Sequence, residues 1–172
     1  DLLENSGVYA LYDYVIFDSA PFFDIRYTVL SIYAASKYVV LLRPSLVDAR
    51  RTSRMVSRLI KFARGFASTQ DFLARFLGVI NMVRQGTIEG DALRRLEFKG
   101  VIPSKGYERV DERRKVVEDA IGGLKKLFSF SDYVIPLDAE IARLNLEGAL
   151  KKKREESALE KVLDALWNHV SS

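Results

Sequence analysis

The run Tyr14-Val15-Ile16-Phe17, closed by Asp18-Ser19-Ala20-Pro21, constrains this chain more than any other stretch. Four consecutive apolar residues, β-branched or aromatic, predict a strand buried on both faces, as in a parallel sheet covered by helices. Pro21 cannot continue a central strand, so the strand has to end near Asp18. Open α/β sheets bind ligands in the crevice outside the carboxyl ends of their strands. That rule makes Asp18 a candidate ligand-side acid, while Asp13 reads as the solvated start of the strand. The plainer alternative for Asp18 is a helix N-cap, a position that aspartate favours.

The rest of the chain repeats the alternation of strand and helix. Tyr38–Leu42 predicts a second buried strand, ended by Arg43-Pro44-Ser45, and Leu77–Val83 a third, in which Asn81 interrupts an apolar run. A buried amide without partners costs on the order of 1–3 kcal/mol, so Asn81 needs a structural or a ligand partner. Asp132–Pro136 predicts a fourth strand, and Val101-Ile102-Pro103 a brief pairing at a sheet edge. Helices are expected over Phe22–Ser36, over Asp48–Arg64, behind Ser68 or Thr69, near Asp91–Leu96, over Arg109–Phe128 with a kink at Gly122-Gly123, and from Glu155 onward. Strands separated by helices define an α/β fold, a mainly parallel sheet with helices on both faces, as one domain over residues 1–172.

Composition narrows the chemistry. The absence of cysteine removes disulfides and thiol catalysis, and one histidine leaves no ligand set for structural zinc. His169 is expected on the solvent side of the last helix. No apolar run approaches the roughly 20 residues of a spanning helix, and no cleavable signal is visible, so a cytoplasmic location is expected. The net charge of +4 points towards anionic partners. Two glutamines, four asparagines and no cysteine fit a thermophilic source.

The Asp48–Arg64 segment divides its residues by type. Met55, Val56, Leu59, Ile60, Phe62 and Ala63 cover one broad face. Arg50, Arg54, Arg58, Lys61 and Arg64 line the other, with no acid after Asp48. This row is either a solvated face or a contact surface for phosphates. In the last helix, Leu159, Val162, Leu163, Leu166, Trp167 and Val170 form an apolar stripe beside Glu155, Glu156, Glu160 and Asp164. An acidic polar face is repelled by anionic lipid, so packing on the sheet is expected and membrane binding is not.

Three segments carry a family resemblance. Tyr12-Asp-Tyr-Val-Ile-Phe-Asp-Ser-Ala-Pro21 resembles the Walker B strand of the ParA/MinD family of deviant-Walker ATPases. Gly78-Val-Ile-Asn-Met82 is similar to the family's strand ending in an adenine-reading Asn, and Ile135-Pro-Leu-Asp138 to its I-P-x-D loop. They occur in the family's order. The phosphate loop G-x-x-x-x-G-K-[ST] is not found in these 172 residues. The resemblance therefore implies a partial P-loop NTPase-like domain, the C-terminal portion of a larger nucleotide-binding protein. It implies ATP and Mg²⁺ as cofactors, with Asp18 holding Mg²⁺ through water and Asn81, Pro136 and Asp138 lining the adenine. ATP hydrolysis is expected of the complete protein and not of this chain alone.

By that resemblance the complete protein dimerises around ATP and acts in DNA partition or spatial positioning. Its partners would be a second copy, non-specific DNA held by Arg50, Arg54, Arg58 and Lys61, or a partner protein. The alternative is a non-catalytic α/β module that binds DNA or a protein. A phospho-receiver with Asp18 as acceptor also requires an upstream acid pair and a strand-ending lysine, neither of which can be placed.

Overall fold

The computed structural model describes residues 7, 11–19, 31–104, 112–137 and 158–172, and the chain divides into two compact units, residues 1–36 and 37–172. In the first unit, residues 14–19 carry no regular secondary structure, and Tyr14 and Ile16 are 47% and 93% exposed. This corrects the expectation of a strand buried on both faces. A strand exists only where a neighbour takes its backbone donors and acceptors, and residues 14–17 have no ladder partner among the described residues. Residues 31–34 are helical, and most of the helix expected from Phe22 lies outside the described residues.

The second unit runs β1 (Tyr38–Leu42), α1 (Leu46–Ala63), α2 (Thr69–Leu73), β2 (Phe76–Ile80), α3 (Ile88–Arg95), α4 (Glu112–Lys125), β3 (Ser129–Phe130) and α5 (Ala158–Ser171). The sheet order is β1-β2-β3 and every pairing is parallel, from Tyr38↔Phe76 to Leu42↔Ile80 and from Leu77↔Ser129 to Gly78↔Phe130. Helical crossovers join the strands, as parallel pairing demands. An α/β class is therefore what the sequence leads one to expect. All five residues of the central β2 are buried. The edge strand β1 departs from expectation: Tyr38, Val40 and Leu42 are buried while Val39 and Leu41 stand exposed. In the register of the sheet Val39 and Leu41 lie beside buried Leu77 and Val79. That side of the sheet is covered over β2 and bare over β1.

Hydroxyl side chains start three helices. Ser45, Ser68 and Thr87 accept from the backbone N–H three residues on, at 3.1, 3.1 and 3.3 Å, each filling an otherwise orphaned donor. Asp48 thus sits in the first turn of α1 and Ser45 is its cap. From there Ala49, Thr52, Val56, Leu59 and Ala63 fall on one side at helical spacing and are buried. The glycine pair does not break α4, which runs unbroken from Glu112 to Lys125. Burial of Ile121 and Leu124 on either side offsets the propensity cost, and Gly122 lies where a Cβ would meet Leu96 at 3.4 Å.

Two C-terminal elements differ from expectation. The last strand is Ser129–Phe130 rather than Asp132–Pro136. The Ser131 hydroxyl donates to Tyr133 O at 3.1 Å and accepts from Tyr133 N at 3.3 Å, so a local turn interrupts the ladder. Pairing resumes at two isolated bridges, Lys99↔Tyr133 and Val83↔Pro136, and residues 101–103 form no strand. On α5, Val162 is fully buried, but Leu163 and Trp167 are 53% and 59% exposed, so the sheet covers only part of the apolar stripe. His169 is half-buried rather than solvent-facing. Its Nε2 lies 3.0 Å from Arg75 O, a geometry in which that nitrogen carries the hydrogen.

The core is organised by aromatic rings. Tyr38, Phe72 and Phe76 meet at centroid distances of 4.8 to 5.8 Å, and Phe76 leads to Phe128 at 5.7 Å and on to Phe130, stacked at 5.0 Å. Phe130 can lie there because its partner on β2 is Gly78, whose missing Cβ would fall 2.4 Å from the ring. Gly78→Ala should therefore destabilise the protein by about 1–3 kcal/mol, as overpacked cores do. Adding Phe130→Leu should recover part of that loss in denaturant midpoints. A pH effect follows from His169, whose pKa is lowered by burial and, less, by Lys37, against the Arg75 carbonyl that raises it. The unfolded chain takes up this proton near pH 6.5, before the folded one does. This contribution is complete above that pH and is lost as pH falls. Stability measured from about pH 7.5 to 5 should drop more in the native chain than in His169→Gln.

Candidate functional site

The carboxyl ends of the strands form one laced surface. Leu42 O accepts from Asn81 N at 2.8 Å and Ile80 O from Ile135 N at 2.9 Å. Ile135 O then accepts from Val83 N at 3.1 Å, and Val83 O from Leu137 N at 2.8 Å. The loop after β2 and the segment 135–137 are thereby fixed side by side, with Val83 fully buried between them and bridged to Pro136. Asn81 lies one residue beyond β2 rather than inside it, and is half-buried. Its Oδ1 accepts from Met82 N at 2.7 Å. The Nδ2 group has no hydrogen-bond partner among the described residues.

Met82 is the residue that sequence reasoning missed. Its φ of 58° lies in the left-handed region, which costs a non-glycine residue roughly 1–2 kcal/mol. Such strain collects where the backbone must present a group in a fixed direction. Met82 and Leu137 are 51% and 50% exposed. One free amide donor among exposed apolar side chains suits a flat, partly polar ligand better than a charged one. The only advance signal was the Asn-Met step straight after an apolar run.

Other predicted residues fall elsewhere. Asp18 is exposed and belongs to the first unit, and Asp138 lies outside the described residues. No cluster of three or more His, Asp or Glu side chains that could hold a metal occurs among the described residues. Magnesium is commonly held by one or two carboxylates together with water and phosphate oxygens, so a single exposed acid fits that ion and does not fit a caged one. At the start of α1, Arg43 Nε contacts Asp48 Oδ2 at 2.7 Å. That hydrogen bond, reinforced by the opposite charge, raises the Arg43 pKa further. Arg50, Arg54, Arg58 and Lys61 are all exposed along α1.

A broad open depression of about 590 Å³ lies between α2 and the end of α4, lined by Thr69, Leu73, Lys125 and Phe128. It sits at the amino ends of β2 and β3, opposite the end where such sheets take ligands. Lys125 there is already engaged by Leu96 O at 2.8 Å and by the Phe98 ring. The laced carboxyl-end loops are the better candidate despite this depression at the other end.

Among the described residues no helix is long and apolar enough to cross a membrane. Comparison of the chain with protein-family models, with curated proteins and with solved structures finds no match. The fold and site define an α/β protein with a parallel sheet and a carboxyl-end loop cluster. If Met82 is held in a strained conformation by its neighbours, Met82→Gly should leave stability level or raise it by up to about 1 kcal/mol. Met82→Ile should lower it, because a β-branched residue tolerates that region worst. Urea midpoints of the two variants provide the comparison.

Proposed function

We propose that this chain is part of a ParA/MinD-like ATPase, a P-loop NTPase-like protein that dimerises with ATP and acts in DNA partition or spatial positioning. The observation that supports this reading is the pairing of the segment 80–83, which contains Asn81, with residues 135–137 through Ile80 and Val83 at one end of a parallel sheet. Two segments that lie 55 positions apart, and that resemble the family's adenine-contacting segments, are neighbours in space. On this reading Asn81 Nδ2 donates to a ring nitrogen of the base, while Met82 and Leu137 flank its faces. Asp18, in the first unit, would be the residue to hold Mg²⁺ through water, and that ion would supply neutralisation of phosphate charge. The chain's own part in such a reaction is to hold and orient the base, since the residues for phosphoryl transfer itself are a lysine and a cradle of amides. A non-catalytic binding module is the second reading, and the exposed row of Arg50, Arg54, Arg58 and Lys61 on α1 favours it.

Binding of ATP and GTP to the purified chain, followed by calorimetry, tests the first reading. ATP should bind better than GTP. Asn81→Ala should weaken ATP by about three- to tenfold, the worth of one hydrogen bond, with the circular dichroism spectrum unchanged. Equal binding of the two nucleotides, or an unaltered ATP affinity in the variant, would sink the adenine assignment.

A further inference from the structure

Helix α5 leaves part of the sheet beside it bare. Side chains paired across a parallel ladder point the same way, so Val39 and Leu41 share a face with Leu77 and Val79. The rings of Tyr38, Phe72 and Phe76 fill the opposite face. Helix α5 lies on this one, in contact with β2 and with Val162 fully buried. Two contacts set its direction across the strands. Lys161 Nζ lies 5.0 Å from the centre of the Tyr133 ring, beyond the end of β3, and Lys37 at the start of β1 donates to Ser172 Oγ at 3.0 Å. Successive helical residues turn by about 100°, so Leu163, Trp167 and Val170 fall on the flank turned towards β1. All three are exposed, and so are Val39 and Leu41, at 43% and 54%. The result is one apolar groove with its floor on β1 and its wall on α5.

We propose that this groove docks an amphipathic helix of a partner protein whose polar border is basic. The size of the groove calls for a helix. Strands lie about 4.8 Å apart and packed helices about 8–10 Å apart, so a second helix beside α5 falls over β1 and its outer edge. The floor is as long as β1, about 16 Å, which matches about three helical turns. Charge selects the border. Glu160 and Asp164, one turn apart, are exposed on α5 just outside Leu163 and Trp167, and α5 carries no base on that flank. Lysine or arginine side chains on an incoming helix meet both carboxylates there, whereas acids are repelled. The same two acids disfavour an anionic bilayer. A helix laid in an apolar groove is a recurrent mode of recognition, with anchors three, four and seven residues apart. The groove lies on a face of the sheet and not at its carboxyl end, so docking there needs no nucleotide.

Trp167 is the single tryptophan of the chain and stands in the groove wall, so its emission reports occupancy directly. The probes are three peptides without tryptophan: an amphipathic leucine–lysine helix, its leucine–glutamate counterpart, and a scrambled leucine–lysine sequence with no apolar stripe. At low salt the leucine–lysine helix should shift Trp167 emission to the blue in a saturable way. It should bind about three- to tenfold tighter than the leucine–glutamate helix, the scale of partly exposed charge pairs. Leu41→Gln and Leu163→Gln should each weaken it about tenfold or more, as the loss of an apolar anchor does. Val116→Gln, on the exposed surface of α4, should leave it unchanged. Asp164→Lys should narrow or invert the preference between the two helices. Thermal melts show whether each variant is folded at the assay temperature. Equal affinity for the two helices, equal binding of the scrambled peptide, or full affinity in both glutamine variants of the groove would each overturn the proposal. So would Trp167 emission that is already blue-shifted in the free chain at every dilution, because the groove is then filled from within. A blue shift that grows with protein concentration alone would overturn it in favour of a second copy. No nucleotide is present in these measurements, so the adenine reading stands or falls by its own experiment.

Discussion

Burial of β2 on both faces and both edges is the constraint on which the second unit depends. Its five residues are hidden, it carries the ladders to β1 and β3, and its Gly78 admits the ring of Phe130. Each large apolar side chain so hidden contributes about 1.5–3 kcal/mol relative to exposure. The aromatic row from Tyr38 to Phe130 extends that core to the elements on either side. In β1 only alternate residues are buried, because among the described residues nothing covers the face that carries Val39 and Leu41.

A rigid central strand also explains why function is expected at its end. Asn81 and Met82 emerge from β2 at a fixed height and direction, and the hydrogen bonds through Val83 hold residues 135–137 alongside. Met82 is kept in a left-handed conformation by neighbours on both sides of it in the chain, Asn81 through its side chain and Val83 through its bridge. A flexible loop would relax that strain. A strained, exposed residue beside a free amide is therefore the place where this scaffold spends stability.

Helix α1 shows the complementary economy. One helix supplies both the stripe that seals the sheet and the row of cations that faces outward, because a period of 3.6 residues separates the two sets cleanly. Capping by Ser45 and the Arg43–Asp48 pair settle its start. The row beyond the first turn is left with positive charge alone.

By itself the sequence determined the local features. Hydroxyl residues before apolar periodicity marked the helix starts at Ser68 and α1's cation row followed from spacing, because both depend on neighbours three or four residues apart. The apolar run of β2 likewise announced a fully buried strand, and the alternation of elements an α/β class. Tertiary structure decided everything that needs a distant partner. Tyr14–Phe17 has the composition of a buried strand yet forms none, since composition cannot supply a neighbouring ladder. Val39 and Leu41 are exposed because no described element covers that face of β1, a fact of how the layers pack. Ser131 moved the last strand by competing for backbone bonds, and His169 found Arg75 across 94 positions. The pairing of Val83, two residues beyond Asn81, with Pro136 and Leu137 is of the same kind: residue types set the potential of each segment, and only the parallel order of the sheet brought them together.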